Sequence, residues 1–325
     1  MTAPIDSTQF CLNLYLTHVA SQVIYRYIPG PERRSENVEN TVDGTFRFSS
    51  KELVKGGPMS RESWEAVAER WLREGPGKGL SKIGGYDFAQ SLALAAQRNF
   101  EQTLQGRGTF LVLGSIEYPP LLGNIADPPL VLAVVGNPKV LLQPTMSVVG
   151  SRKASGWGLK QSVAIGVLAA RRGTTVVSGG AFGCDIAVHR GMLRANQGVC
   201  PAAVVMASGL GHLYPRAHHG DFQDIVQRGG ALISERLWWG QSQPFDFLVR
   251  NRLIAGLSPV TVVAEAGERS GALTTARMAL DQGREVLVLE GEENDVRSKG
   301  NQQLIDDGAA AFESAICLME STLLQ

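Results

Sequence analysis

From Thr109 onward, short runs of β-branched and aliphatic residues alternate with longer stretches in which apolar positions recur at helical spacing. The runs predict strands at about 146–149, 174–177, 202–206, 231–233, 260–264 and 285–289. The intervening stretches predict helices at about 158–172, 184–196, 221–228, 248–257, 271–282 and 301–307. The strands are valine-rich and do not alternate between apolar and polar, which indicates burial on both faces. Short connections between strand and helix describe a doubly wound, Rossmann-like parallel sheet, an α/β fold. The first 106 residues differ in texture: a polar stretch at 31–43 is followed by helical periodicity around 62–73 and 88–104. In the second of these, Phe88, Leu92, Leu94, Ala95 and Phe100 fall on roughly one face. The reading is a mainly α-helical N-terminal region, 1–106, of unassigned role, and a Rossmann-like domain, 107–325.

Two glycine-rich breaks stand out within the second region, Val-Val-Gly-Ser-Arg-Lys at 148–153 and Val-Val-Ser-Gly-Gly-Ala-Phe-Gly-Cys-Asp at 176–185. Each follows a predicted strand and opens a predicted helix. Glycines at such a junction admit close backbone approach, and the following helix presents free N–H groups and the positive end of its dipole. In an open parallel sheet ligands bind beyond the carboxyl ends of the strands. A ligand carrying phosphate is therefore the first to consider.

Bulk properties narrow the field. A chain of 325 residues with 44% hydrophobic content supplies a full core. Lys plus Arg balances Asp plus Glu at 31 each, so any polyanion binding must come from local arrangement and not from a global field. Cys11, Cys184, Cys200 and Cys317 are scattered and form no CxxC pair, against a zinc site or a disulfide framework. The first residues lack a basic leader, and no apolar run reaches the ~18 residues of a membrane span. A cytoplasmic protein without membrane contact, metal or cofactor is expected.

Read as one string, the second region contains Tyr118-Pro-Pro-Leu-Leu, Ile125-Ala-Asp-Pro-Pro-Leu-Val-Leu, Val149-Gly-Ser-Arg-Lys-Ala-Ser, Ser178-Gly-Gly-Ala, Tyr214-Pro-Arg, Ile233-Ser-Glu, Arg250-Asn-Arg-Leu-Ile-Ala-Gly-Leu-Ser, Ala264-Glu-Ala, Ser270-Gly-Ala-Leu-Thr-Thr-Ala, Gln282-Gly-Arg-Glu-Val and Leu304-Ile-Asp-Asp-Gly-Ala. In order and spacing these resemble the DNA-processing protein A family, DprA, also called Smf, over about 107–310. The resemblance implies a Rossmann-like domain that binds and protects single-stranded DNA, helps load a RecA-type recombinase in natural transformation, and forms a homodimer. The chain departs from the family pattern in places. Phe182 stands where the family usually has an arginine that contacts phosphate. Phe247-Leu-Val-Arg-Asn-Arg replaces the usual Phe-Pro-x-Arg-Asn-Arg, and Leu289-Glu-Gly replaces Val-Pro-Gly. Neither the C-terminal winged helix of many members nor the N-terminal Gly-Ile-Gly signal is expected here.

The candidate phosphate-binding set is Gly150, Ser151, Arg152, Ser178, Gly179, Gly180, Phe182, Arg216, Arg250, Asn251, Arg252, Ser270, Gly271 and Thr274. Two amides, a hydroxyl and a guanidinium at 150–152 can converge on one phosphate, since the planar fork of arginine contacts it bidentately. Arg152 can equally cap the sheet edge or pair with an acid, and Lys153 reads as a solvated surface charge. Ser178-Gly-Gly is a second cradle or a plain tight turn. Phe182 either stacks on a base or belongs to the core. Of Arg250 and Arg252, adjacent along a helix, only one can face the cleft, and the other makes an ion pair or a dimer contact. Ser270 opens a helix either as an anion site or as an ordinary N-cap. His218 and His219 have no evident co-ligands. Asp185 is expected to orient backbone amides and Glu265 to anchor neighbouring Arg or Ser groups, so no catalytic residue is assigned. Two rival readings remain: a sensor of a nucleotide-derived small ligand, and a nucleoside monophosphate phosphoribohydrolase, which lacks its usual glutamate motif here.

Overall fold

The computed structural model describes residues 15–16, 18–20, 61–74, 81–195, 198–292 and 295–320. The polar stretch at 31–43 and Cys11 lie outside the described residues. Two helices, α1 (Arg61–Glu74) and α2 (Ser81–Gln105), precede β1 (Gly108–Val112), α3 (Pro120–Gly123) and β2 (Val131–Gly136). Then strand and helix alternate: β3 (Thr145–Gly150), α4 (Gly156–Arg171), β4 (Thr175–Ser178), α5 (Cys184–Ala195), β5 (Ala202–Val205), α6 (His219–Gln227), β6 (Ala231–Ser234), α7 (Pro244–Gly256), β7 (Val260–Glu265), α8 (Gly271–Asp281), β8 (Glu285–Leu289), α9 (Lys299–Asp306), β9 (Ala310–Phe312) and α10 (Ala315–Glu320).

The nine strands form one sheet in the order β1-β2-β6-β5-β4-β3-β7-β8-β9. From β6 to β9 every pairing is parallel. The fold is thus the expected α/β, Rossmann-like one, with a correction at one edge: β1 and β2 add there as antiparallel strands. Chain order runs outward from β3 through β4, β5 and β6, then jumps back to β7 on the other side of β3. That reversal places the topological switch point between β3 and β7, where a crevice opens at the carboxyl ends.

The central strands carry buried Val148, Val176, Val177, Val204, Val262 and Val263, as their unbroken apolar character predicts. Their few polar residues tie β3 to the carboxyl end of α7: Ser147 donates to the Ile254 carbonyl at 2.6 Å and Thr145 to that of Leu257 at 2.8 Å. Helices α4 and α5 meet through Gly166 and Gly191, where any Cβ would run into the Val188 or Val163 carbonyl of the opposite helix.

The N-terminal helices share this core. Phe100 of α2 stacks on Phe110 of β1 with centroids 5.7 Å apart, and Tyr15 and Trp64 close the cluster. Asn99 joins the two parts by accepting a hydrogen bond from the Trp238 N–H at 2.7 Å and donating to the Tyr15 hydroxyl at 3.1 Å. Leu92 and Phe100 are buried as expected, whereas Leu94 is half exposed and does not belong to the packed face. The Phe88 side chain lies outside the described residues.

Candidate functional site

The crevice between β3 and β7 is a cleft of about 520 Å³. Its walls are the loop after β3 (Gly150 to Lys153), the α7 face that carries Phe247, Arg250 and Asn251, and the loop from Gly267 to Gly271 that leads into α8. Seven of the fourteen candidates line it: Gly150, Ser151, Arg152, Arg250, Asn251, Ser270 and Gly271. Ser178, Gly179, Gly180, Phe182, Arg216, Arg252 and Thr274 do not.

The backbone cradle read from the glycines exists, but it is engaged from within. Asp185, in the first turn of α5, is buried and accepts a hydrogen bond from the Gly179 N–H at 3.2 Å. The N–H groups of Ala181 and Gly150 also turn toward its carboxylate. Burial pushes the Asp185 carboxyl above the ordinary value, against the pull of Arg250 and these three amides. The Ser151 N–H is engaged as well, donating to the Glu265 carbonyl at 2.6 Å. The expected convergence of two free amides at 150–152 is therefore corrected: both already have acceptors. Ser178 is fully buried and donates to the Val148 carbonyl at 2.6 Å, a strand-to-strand tie facing away from the cleft. Gly180 has φ +62°, and a Cβ there would crowd Val204 and Phe222, so its presence answers to backbone geometry.

The two α7 arginines part as their spacing requires. Arg250 lies beneath the cleft floor, 5% exposed, donating to the Gly179 carbonyl at 3.1 Å and to that of Val205. Burial lowers its pKa to about 10, with Asp185 opposing that shift. Arg252 points the other way. It holds Glu235 bidentately at 3.1 and 2.7 Å and Asp127 at 3.2 Å, in a buried network in which the two carboxylates outweigh desolvation and raise its pKa. The Asp127 and Glu235 motifs are thereby accounted for as partners of Arg252. Asn251, at the cleft wall, accepts from Arg250 Nε at 3.3 Å. Helix α7 starts at Pro244, four residues earlier than its apolar pattern suggests, under a Gln243/Asp246 capping box.

What remains free faces outward. Arg152, Lys153, Arg216 and Arg269 are exposed, and none is in an ion pair among the described residues. The Arg152 guanidinium lies over the Phe247 ring at 5.1 Å, and Tyr214, half exposed, meets the same ring edge-on at 5.7 Å. Two residues on, Arg216 opens the turn that carries His218. The His218 ring, with Nδ1 2.9 Å from the Gly180 carbonyl, supports Phe182 at 4.6 Å. Phe182 is 45% exposed, so of its two readings the core one is excluded. Cations and aromatic rings thus interleave along one rim from Lys153 to Phe182.

At the opposite wall Ser270 caps α8, accepting from the Ala272 N–H at 3.2 Å. Thr275 faces the cleft and Thr274, one residue earlier on the helix, does not. Glu265 accepts from the Ser155 N–H at 2.8 Å and from its hydroxyl, while Ser155 caps α4. Sequence reasoning missed Tyr214 and Phe247; the signal available was an aromatic residue within three positions of each basic motif. It also missed Asn301, which reaches from α9 to the Ala266 N–H at 2.6 Å and the Leu289 carbonyl at 2.6 Å and fixes the ends of β7 and β8.

The family model described as DNA recombination-mediator protein A matches residues 109–322. Protein Smf of Escherichia coli (strain K12) is 40% identical over 192 residues, which are 59% of this chain and 50% of that protein. DNA processing protein DprA of Bacillus subtilis (strain 168) is 34% identical over 217 residues, 66% of this chain and 71% of that one. The match therefore spans half the length of the Escherichia coli relative. The crystal structure of DprA from Streptococcus pneumoniae superposes with a TM-score of 0.63 at 26% identity, covering 85% of this chain and 99% of that one. DprA from Helicobacter pylori, whose structure concerns its single-stranded DNA binding mode, gives a TM-score of 0.59 at 26% identity over 66% and 94% of the two chains.

Proposed function

Because the chain belongs to the DNA recombination-mediator protein A family, we propose that it binds single-stranded DNA along the rim above the β3/β7 cleft. One observation carries this reading: Arg152, Lys153 and Arg216, exposed and in no ion pair among the described residues, share one rim with the rings of Phe247, Tyr214 and Phe182, and Arg269 is exposed on the facing wall. Sequence-tolerant single-strand binding needs that combination, a cationic track for the backbone and aromatic faces on which bases stack at about 1–3 kcal/mol each. The Helicobacter pylori relative described for single-stranded DNA binding supports the same ligand.

The protein acts as a binder and not as a catalyst. Support comes from the acids nearest the strand ends, each held by its own partner: Asp185 by amides, Glu265 by Ser155 and Glu235 by Arg252. In the cell the bound strand is protected and passed to a RecA-type recombinase during DNA uptake and recombination, by a cytoplasmic homodimer. Family membership supports those last roles; in addition, no described helix is long and apolar enough to cross a membrane.

A fluorescence-anisotropy titration with a labelled single-stranded oligonucleotide, competed by duplex and by mononucleotide, tests the reading. Single strands should compete fully and mononucleotide only at far higher concentration. Four phosphate contacts give a log–log salt slope of about −3. Displacement by mononucleotide at concentrations equal to those of oligonucleotide would overturn the proposal in favour of a small-ligand sensor.

A further inference from the structure

We propose that Asp185 is a specificity-determining residue: its carboxylate occupies the phosphate seat of the glycine-rich cradle and closes that seat to nucleotide diphosphates and dinucleotides. The seat has the parts of a phosphate site. The Gly179 N–H donates to the carboxylate at 3.2 Å, and the Gly150 and Ala181 N–H groups, from the end of β3 and the loop after β4, are aimed at the same group. Asp185 itself stands in the first turn of the twelve-residue α5, where the helix dipole favours an anion. Arg250 supplies the positive charge beneath it.

The fit is tight. A Cβ on Gly179 would lie 2.7 Å from Arg250 Nη2 and 2.8 Å from Asp185 Oδ2, so guanidinium and carboxylate close on the backbone from both sides. Asp185 is 7% exposed and borders the cleft together with Gly150 and Ala181, so the carboxylate and two of the amides it holds meet the open crevice at one place. A terminal phosphate entering the crevice meets a carboxylate where a nucleotide-binding Rossmann site offers free N–H groups, and like charges at contact repel. Anions are thereby confined to the outer cations, which hold one phosphate of a chain at a time and do not enclose a pyrophosphate. Specificity here rests on a repulsive element as much as on an attractive one.

Replacing the carboxylate should empty the seat and turn it into an anion site. The experiment compares the parent chain with Asp185→Ser in inorganic phosphate and in chloride at matched ionic strength, following thermal unfolding by circular dichroism. The expected result is a midpoint for Asp185→Ser that climbs with phosphate and then levels, above the smaller rise that the outer cations and the kosmotropic salt give the parent, because a further ligand bound only by the folded state raises stability by mass action. Where Asp185→Ser does not fold in chloride, phosphate should restore the native spectrum. Equal behaviour of Asp185→Ser in the two salts, folded or not, overturns the proposal, as does a phosphate-dependent rise of the same size in the parent. Because no DNA enters the assay, its failure is distinct from failure of the single-strand reading.

Discussion

Replacing Arg252 by Ala should unfold the protein more readily without touching its ligand surface, and the structure sets the scale. Arg252 is 13% exposed and faces Glu235, 9% exposed, at 2.7 Å and Asp127, 37% exposed, at 3.2 Å. Truncating it leaves Glu235 buried and without its counter-charge, and breaking a buried pair in this way costs about 3–5 kcal/mol. For a chain of 325 residues, an unfolding entropy of roughly 2 cal/mol/K per residue turns the middle of that range into a melting-point fall on the order of 6 °C. The desolvation share separates from the pairing share in a double-mutant cycle. Arg252→Met with Glu235→Leu removes both charges and should recover most of the loss, because a well-packed apolar pair often equals a buried ion pair. Urea titrations give the free energies, and anisotropy with single-stranded oligonucleotide on the folded variants should show affinity within about twofold of the parent. An Arg252→Ala variant with parental stability and tenfold weaker DNA binding would refute the assignment of Arg252 to the scaffold.

Other expectations follow from single groups. Burial pushes His189 down to about 4, and neither ring nitrogen has a hydrogen-bond partner among the described residues. The depressed value means that its contribution is full above the unfolded value of 6.5 and is lost as pH falls toward about 4, by roughly 3 kcal/mol. His189→Leu should flatten that part of an acid denaturation series, leaving the share due to His18, which burial also lowers to about 4. Gly180→Ala, at φ +62° with a Cβ 2.7 Å from Val204 Cγ1, should cost about 2 kcal/mol or more, read from the urea midpoint. Phe182→Arg places a cation on the half-exposed end of the rim, over His218. It should leave stability within about 0.5 kcal/mol and steepen the salt dependence of single-strand binding by about 0.7; an unchanged slope would exclude this position from the DNA track.

The central strands and their helices were legible because parallel strands buried on both faces are written as unbroken valine runs, such as Val260 to Ala264. The edge strands β1 and β9, and β2 beside β1, are not among those the sequence predicts. Gly108–Val112 follows directly on a helix and finds its partner by antiparallel pairing, with no helix of its own to frame it, and Ala310–Phe312 has only three residues. At the site, the glycines announced a cradle and the spacing of Arg250 and Arg252 announced opposite faces. The partners of those groups are remote in sequence: Arg250 meets Gly179 and Val205, and Arg252 meets Asp127 and Glu235. A local pattern holds no record of such contacts. That is why Ser178 reads as a phosphate ligand until its hydroxyl is found on Val148, and why the amides of Gly150 and Ser151 read as free until Asp185 and the Glu265 carbonyl are found on them. The rim had a readable trace in Tyr214-Pro-Arg and in Phe247 ahead of Arg-Asn-Arg. Only the folded chain shows that the Tyr214 and Phe247 rings touch.

The outward cations, and not the buried ones, grip the nucleic acid. Arg152→Ala combined with Arg216→Ala, compared with the parent by anisotropy across a series of salt concentrations, measures this directly. The predicted result is weaker single-strand binding for all sequences alike, with the log–log salt slope reduced by about 1.4 and the thermal midpoint unchanged. Parental affinity and slope in the double variant would contradict it.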